Sequence, residues 1–306
     1  MATKLIPVLF AVIALTGCGA KPPADIQWQL FDGDRAFAHA QKQVGFGPRP
    51  SGSAALARCA TFVATQLQDD GVESEEQTFL ASTPRGPVQF RNIIGKTHGP
   101  RSAPGQIIVI GAHYDTKWFT NMTFVGANDG ASGAAVLLEM ARVLSAQPNI
   151  WLAFFDGEEC TREYTAEDGL HGSRFFVEDL KGAGRADWVK AFILLDMVGD
   201  AHLNITMPVN SDAKLVEEVF VAARDTGHRD FFSLGKTDML DDHVPFLKAG
   251  IPAIDLIDFE FGSAPGKNDY WHTDKDTLDK ISPRSLEITG QTVLRLIARL
   301  QKLPAH

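Results

Sequence analysis

The chain has 306 residues, 44% of them hydrophobic and 22% charged, which is an ordinary globular composition with length enough for one large α/β domain. Its 29 Lys and Arg against 38 Asp and Glu leave a formal charge of −9, with no basic run and no interleaved basic and aromatic motif. Phosphate binding needs clustered cations, so nucleic acid is excluded as a partner class.

At the N-terminus Lys4 supplies a positive charge, Leu5 to Leu15 an apolar stretch, and Leu15-Thr16-Gly17-Cys18 a small-residue processing site. The apolar stretch falls short of the about 20 residues a membrane-spanning helix needs. The pattern resembles the lipobox of bacterial lipoproteins. It implies a signal peptide over residues 1–17, an acylated Cys18 at the head of a tether over 18–32, and a folded domain over 33–306 in the bacterial cell envelope. Multiple acyl chains would hold that domain at a membrane, on the periplasmic side or the outer surface. Gly19 lacks the acidic retention signal of inner-membrane lipoproteins, which favours the outer membrane. With Cys18 acylated, Cys59 and Cys160 remain; they could pair in an oxidising compartment, or Cys160 could be an inert packing residue.

Helical spacing runs from residue 33 to 71, broken at Gly45-Phe46-Gly47-Pro48-Arg49-Pro50-Ser51-Gly52-Ser53. Extended segments follow near Val72 to Leu80 and Val88 to Lys96, punctuated by Pro84, Gly86 and Pro87. Strand and helix patterns then alternate: strands at 107–111, 150–155 and 192–197, helices at 132–144 and 170–180. Such alternation predicts parallel βαβ units. A strand near 203–207, a helix from 212 to 223, a strand at 253–257 and a helix from Pro283 to Leu300 complete a single-domain α/β reading: a mixed, mostly parallel twisted sheet with helices on both faces.

Polar clusters follow the strand ends, where open α/β sheets place ligands. His113 and Asp115 follow the first buried strand, Glu158 and Glu159 follow Trp151 to Phe155, Asp196 ends Leu194-Leu195, and Asp129 and His272 lie in Asn128-Asp129 and Trp271-His272-Thr273. Each alone reads as a turn or surface residue. Together they are the nitrogen and carboxylate donors that zinc takes.

The motifs His113-Tyr114-Asp115-Thr116-Lys117, Val125-Gly126-Ala127-Asn128-Asp129, Phe154-Phe155-Asp156-Gly157-Glu158-Glu159, Leu194-Leu195-Asp196-Met197-Val198-Gly199, Asp241-Asp242-His243-Val244-Pro245-Phe246 and Trp271-His272-Thr273 occur in this order. On them the chain resembles the M28 metallopeptidase family over roughly residues 90 to 300, and within it the glutaminyl cyclases. The resemblance implies a zinc aminopeptidase-like fold that acts on the N-terminus of a peptide or protein. Asp129, Glu159 and His272 would hold one Zn2+, Glu158 would be the acid/base, and Asp196 with Asp241 would form a hydrogen-bonded acidic pair. Asp242 is the other candidate for that pair, with Asp241 then capping a helix. Trp271 would wall the substrate pocket. Tyr164 aligns with a pocket tryptophan or faces solvent, and Asp255 stands where animal cyclases carry histidine. His243 reads as structural. The implied reaction is cyclisation of N-terminal glutamine to pyroglutamate with release of ammonia. The alternative is a two-zinc aminopeptidase with His113 and Asp196 as second-metal ligands; a binding module with no enzymatic activity is the third reading.

Overall fold

The computed structural model describes residues 25–98, 104–165 and 167–304. Cys18, the signal peptide and the start of the tether lie outside these residues. In chain order the elements are α1 (Gly33–Val44), α2 (Ala54–Asp69), β1 (Glu73–Thr83), β2 (Gly86–Lys96), β3 (Ile107–His113), α3 (Ala131–Leu144), β4 (Ile150–Phe155), α4 (His171–Gly182), β5 (Val189–Asp196), β6 (Ile205–Met207), α5 (Ala213–Thr226), β7 (Phe232–Leu234), α6 (His243–Lys248), β8 (Ala253–Ile257) and α7 (Pro283–Leu300).

The eight strands form one sheet in the order β1-β2-β4-β3-β5-β8-β6-β7. Its centre, β4-β3-β5-β8, is parallel, while β1, β2 and the β8–β6 contact are antiparallel. The central strands β3, β4, β5 and β8 are buried at every position. That is why they read as continuous apolar runs rather than as alternating ones. Successive side chains still point to opposite faces. Ile108 and Ile110 pack with α1, α2, α3, α5 and α7, whereas Ile107 and Val109 pack with α4 and α6. Helices therefore cover both faces, as the sequence predicts.

Local chemistry marks the helix starts. Asp32, Ser53, Asp212 and Ser282 each accept hydrogen bonds from first-turn N–H groups through their side chains, and Pro283 occupies the first turn of α7. Two short elements escape the sequence pattern: β7, with three residues, and α6, with six, are too short to show a period. The folded unit also begins ahead of residue 33. Ile26 and Phe31 are buried at 7% and 2% exposure, and a 3-10 turn at Trp28–Leu30 packs against α7, so the end of the expected tether belongs to the core. Cys59 and Cys160 are both buried and free, so the pairing considered from sequence does not form. Cys59 lies inside the α2 packing layer and Cys160 beside Lys117. No helix among the described residues is long and apolar enough to cross a membrane.

Candidate metal centre

The carboxyl ends of β4, β3 and β5 lie side by side and deliver the acids and histidines to one pole of the sheet. His113 ends β3 and Asp196 ends β5. Glu158 and Glu159 follow β4 through Gly157, and Asp129 precedes α3. Backbone conformation aims two of these groups. Gly130 has φ +94°, and a Cβ there would lie 2.4 Å from the Asp115 carbonyl, so only glycine allows the turn that presents Asp129. His272 itself adopts φ +54°, a conformation that L-residues avoid unless the surroundings impose it.

Two clusters of donors result, and they share one residue. His272 Nε2 lies 3.1 Å from Glu159 Oε1 and 3.2 Å from Asp129 Oδ2. His113 Nε2 lies 3.2 Å from Asp129 Oδ1 and 3.2 Å from Asp196 Oδ1. Zinc bonds of about 2.0–2.1 Å in a tetrahedron place ligand atoms roughly 3.3 Å apart, so the first cluster has the spacing the ion requires. Asp129 Oδ2 is buried and makes no hydrogen bond, a cost that a cation would remove. Asp129, Glu159 and His272 fit zinc, and His113, Asp129 and Asp196 offer a second group.

The surroundings orient these ligands. Asp276 accepts the N–H groups of Asn128 at 2.7 Å and Asp129 at 3.0 Å. From the other side Arg49, fully buried, donates to the carbonyls of Val125 at 2.8 Å and Gly126 at 3.3 Å, and also to those of Gln43, Gly47 and Tyr114. The loop carrying Asp129 is thus clamped at both its N–H and its C=O groups. Asp115 Oδ1 lies 3.5 Å from His113 Nδ1 and accepts the Glu158 N–H at 3.3 Å. Lys117 donates to Glu159 Oε2 at 3.4 Å and to the Cys160 carbonyl at 2.8 Å. Arg49, Lys117 and Asp276 carry no signal of these roles in the sequence. A single Arg or Lys carries no period or spacing, and only the fold shows which backbone groups it meets.

Glu158 is 6% exposed, and its Oε1 accepts the Tyr164 hydroxyl at 2.8 Å. Tyr164 therefore points into the site rather than to solvent. Burial, reinforced by the Asp241 charge, pushes the Glu158 carboxyl well above the usual range. Asp241 is raised likewise, by burial and then by Asp196. Asp196 and Asp241 are electrostatic neighbours; Asp196 Oδ1 faces His113 and Asp241 Oδ1 accepts the Asp242 N–H. Asp242 turns away to accept from Ser173 on α4. Burial pulls the His272 imidazole down, but Glu159 and Asp129 outweigh it and hold its pKa at about 9. A pole so rich in buried carboxylates is built to attract positive charge.

Trp271 stacks on the His272 ring at 3.9 Å between centroids and meets Phe259 edge-on at 5.0 Å. His243 is fully buried with neither ring nitrogen bonded, 3.9 Å from Asp255, and belongs to neither donor cluster. Asp255 is wholly buried with both oxygens unpaired, and burial together with Asp241 raises its carboxyl well above the ordinary range.

A twisted α/β sheet with a carboxylate–histidine metal centre at the carboxyl ends of its parallel strands defines a zinc exopeptidase-like enzyme. The chain belongs to peptidase family M28, whose model matches residues 92–297. It is similar to the Acidobacteriales bacterium glutaminyl cyclase, with a TM-score of 0.82 and 35% identity over 94% of this chain and 99% of that one. A Zn-dependent exopeptidase from Parabacteroides distasonis matches with a TM-score of 0.78 and 30% identity over 87% and 98% of the two chains. Among curated relatives, the glutaminyl-peptide cyclotransferase-like protein of Mus musculus is 30% identical over 77% of this chain and 67% of its own length.

Proposed function

We propose that this enzyme cyclises N-terminal glutamine of peptides and proteins to pyroglutamate, releasing ammonia, with one zinc ion held by Asp129, Glu159 and His272. The observation that carries the reading is a buried Glu158 beside that triad, in a chain that matches a glutaminyl cyclase over almost the whole of both molecules. In the reaction the α-amine of glutamine attacks its own side-chain amide carbon. A C–N bond forms and the amide C–NH2 bond breaks. When bound, zinc supplies a Lewis acid that polarises the amide oxygen. Glu158 accepts the proton the amine loses and returns it to the departing nitrogen, so ammonia leaves neutral. Tyr164 holds Glu158 Oε1, leaving Oε2, which bonds to no described residue, as the oxygen that carries the proton. Trp271 braces the His272 ring and offers an apolar wall beside the metal.

Mass spectrometry of a glutamine-initiated peptide incubated with zinc-loaded enzyme tests the reading. The intact peptide is expected to lose one ammonia; loss of a whole N-terminal residue would overturn cyclisation. That second outcome marks an aminopeptidase with two zinc ions, favoured by the second donor group of His113, Asp129 and Asp196. In it Glu158 would deprotonate water instead of an amine.

We also propose that Cys18 is acylated and ties the enzyme to the bacterial envelope. Support comes from the charged, apolar and small-residue order ahead of Cys18. Intact mass of the native chain is expected to show acyl groups on a mature chain starting at Cys18, and Cys18→Ser is expected to release the enzyme in soluble form.

A further inference from the structure

The described chain starts at one pole of the sheet and does its chemistry at the other. Asp25 Oδ1 lies 2.9 Å from Lys302 Nζ, just past the end of α7. This exposed ion pair fixes little by itself, but Ile26 next to it is buried in the core and Trp28 packs against the same cluster. The end of α7 is placed by two further contacts. Lys190, at the start of β5, donates to the Leu300 carbonyl at 2.7 Å, and Gln301 Nε2 donates to the Pro148 carbonyl, just ahead of β4, at 3.3 Å. Asp25 thus sits at the amino ends of the parallel strands. The beginning of α7 is at the opposite, catalytic pole, where the Ser282 N–H donates to the Gly199 carbonyl just beyond β5.

Lengths decide what this means for a membrane. The 18 residues of α7 span about 27 Å between the poles at about 1.5 Å per residue. From Cys18 to Asp25 the chain has a reach of about 24 Å even if fully extended, at about 3.5 Å per residue. A tether no longer than the span between the poles favours a bilayer at the amino-end pole over one at the metal centre. We propose that the lipid surface faces the amino-end pole of the sheet and that the metal centre opens away from it, toward polypeptide N-termini in the aqueous compartment. The inference rests on the reading of Cys18 as acylated.

The test uses the full acylated chain in phosphatidylethanolamine–phosphatidylglycerol vesicles that carry a headgroup quencher. A fluorophore is attached to Cys at Ala183→Cys, beyond α4 at the amino-end pole, or at Ala264→Cys, in the loop between β8 and His272; both positions are exposed. Cys59 and Cys160 are buried and stay unlabelled. Quenching several-fold stronger at 183 than at 264 is expected. Equal quenching, or stronger quenching at 264, overturns the orientation. If the native chain carries no acyl group by intact mass and does not float with vesicles, the reading of Cys18 fails and the orientation falls with it, whatever the labels report.

Discussion

Glu158 and Tyr164 set the first expectations at the scale of single residues. Glu158→Gln keeps the shape of the side chain but cannot take the proton, so kcat is expected to fall by roughly 10²–10⁴ while zinc content, measured on the same preparation, stays unchanged. Unchanged turnover would remove the acid/base role. Tyr164→Phe deletes the hydroxyl that donates to Glu158 Oε1. That bond favours the charged carboxylate, so its loss raises the Glu158 pKa further, and the acid limb of the kcat/KM profile is expected to move to higher pH. A Phe variant with the wild-type pH profile would show that Tyr164 serves packing alone. His39 gives an expectation remote from chemistry. Burial lowers this α1 imidazole from 6.5 to about 4, and its Nε2 is unpartnered. A base with a depressed folded pKa is neutral in the fold and charged in the unfolded chain between these values, so stability falls as pH drops from 6.5 toward 4. The cost reaches roughly 3 kcal/mol at the lower end of that window. His39→Leu is expected to flatten that part of the stability curve, read from urea melts across pH.

At the scale of elements, the loop from Val125 to Asp129 is the part whose shape matters most. Asp276 satisfies two of its N–H groups and Arg49 two of its carbonyls, so Asp129 enters the site already aimed. Asp276→Ala leaves two buried donors unpaired at about 1–3 kcal/mol each, and loss of such outer support lowers metal affinity about 10–100-fold. Chelator competition measures the affinity, and the melt of the metal-free protein measures the structural cost. If the melt shifts while zinc affinity does not, Asp276 supports the fold without tuning the metal. Arg49 buries its guanidinium against carbonyls alone, with no carboxylate within ion-pair distance among the described residues, so its charge is dispersed over backbone dipoles. Lysine has one donor head where Arg49 uses three nitrogens, and Arg49→Lys is expected to weaken zinc binding in the same direction.

For the whole molecule, the catalytic pole gathers Asp115, Asp129, Asp156, Glu158, Glu159, Asp196, Asp241, Asp242 and Asp255, all at or below 9% exposure. Their mutual repulsion makes the empty site costly, so a bound cation stabilises the fold as well as the reaction. Saturation to about 1,000 Kd adds about 4 kcal/mol. Removing zinc with a chelator is accordingly expected to lower Tm by roughly 10 °C, with recovery on adding the ion back. His113→Ala separates the one-metal and two-metal readings: a cyclase retains its single tightly bound equivalent, whereas an aminopeptidase drops from two equivalents to one.

The sequence by itself determined the fold class and the donors. Fully apolar strands such as Ile107 to Ile110 and Trp151 to Phe155 can exist only inside a covered parallel sheet, and polar residues directly after them fall at its carboxyl ends. The candidate donors His113, Asp129, Glu159, Asp196 and His272 were legible because each residue sits in a short local motif. The short β7 and α6 were not, since three and six residues develop no periodicity and neither is a continuous apolar run like β4 or β8. Tertiary structure alone decided that Asp129 is shared by two donor groups, that Tyr164 turns inward to Glu158, and that Cys59 and Cys160 stay apart. It alone also placed Arg49 and Asp276, 227 positions apart in the chain, on opposite sides of one loop. These are contacts between residues far apart in sequence, fixed by how strands and helices close on one another, and no local pattern encodes that closure.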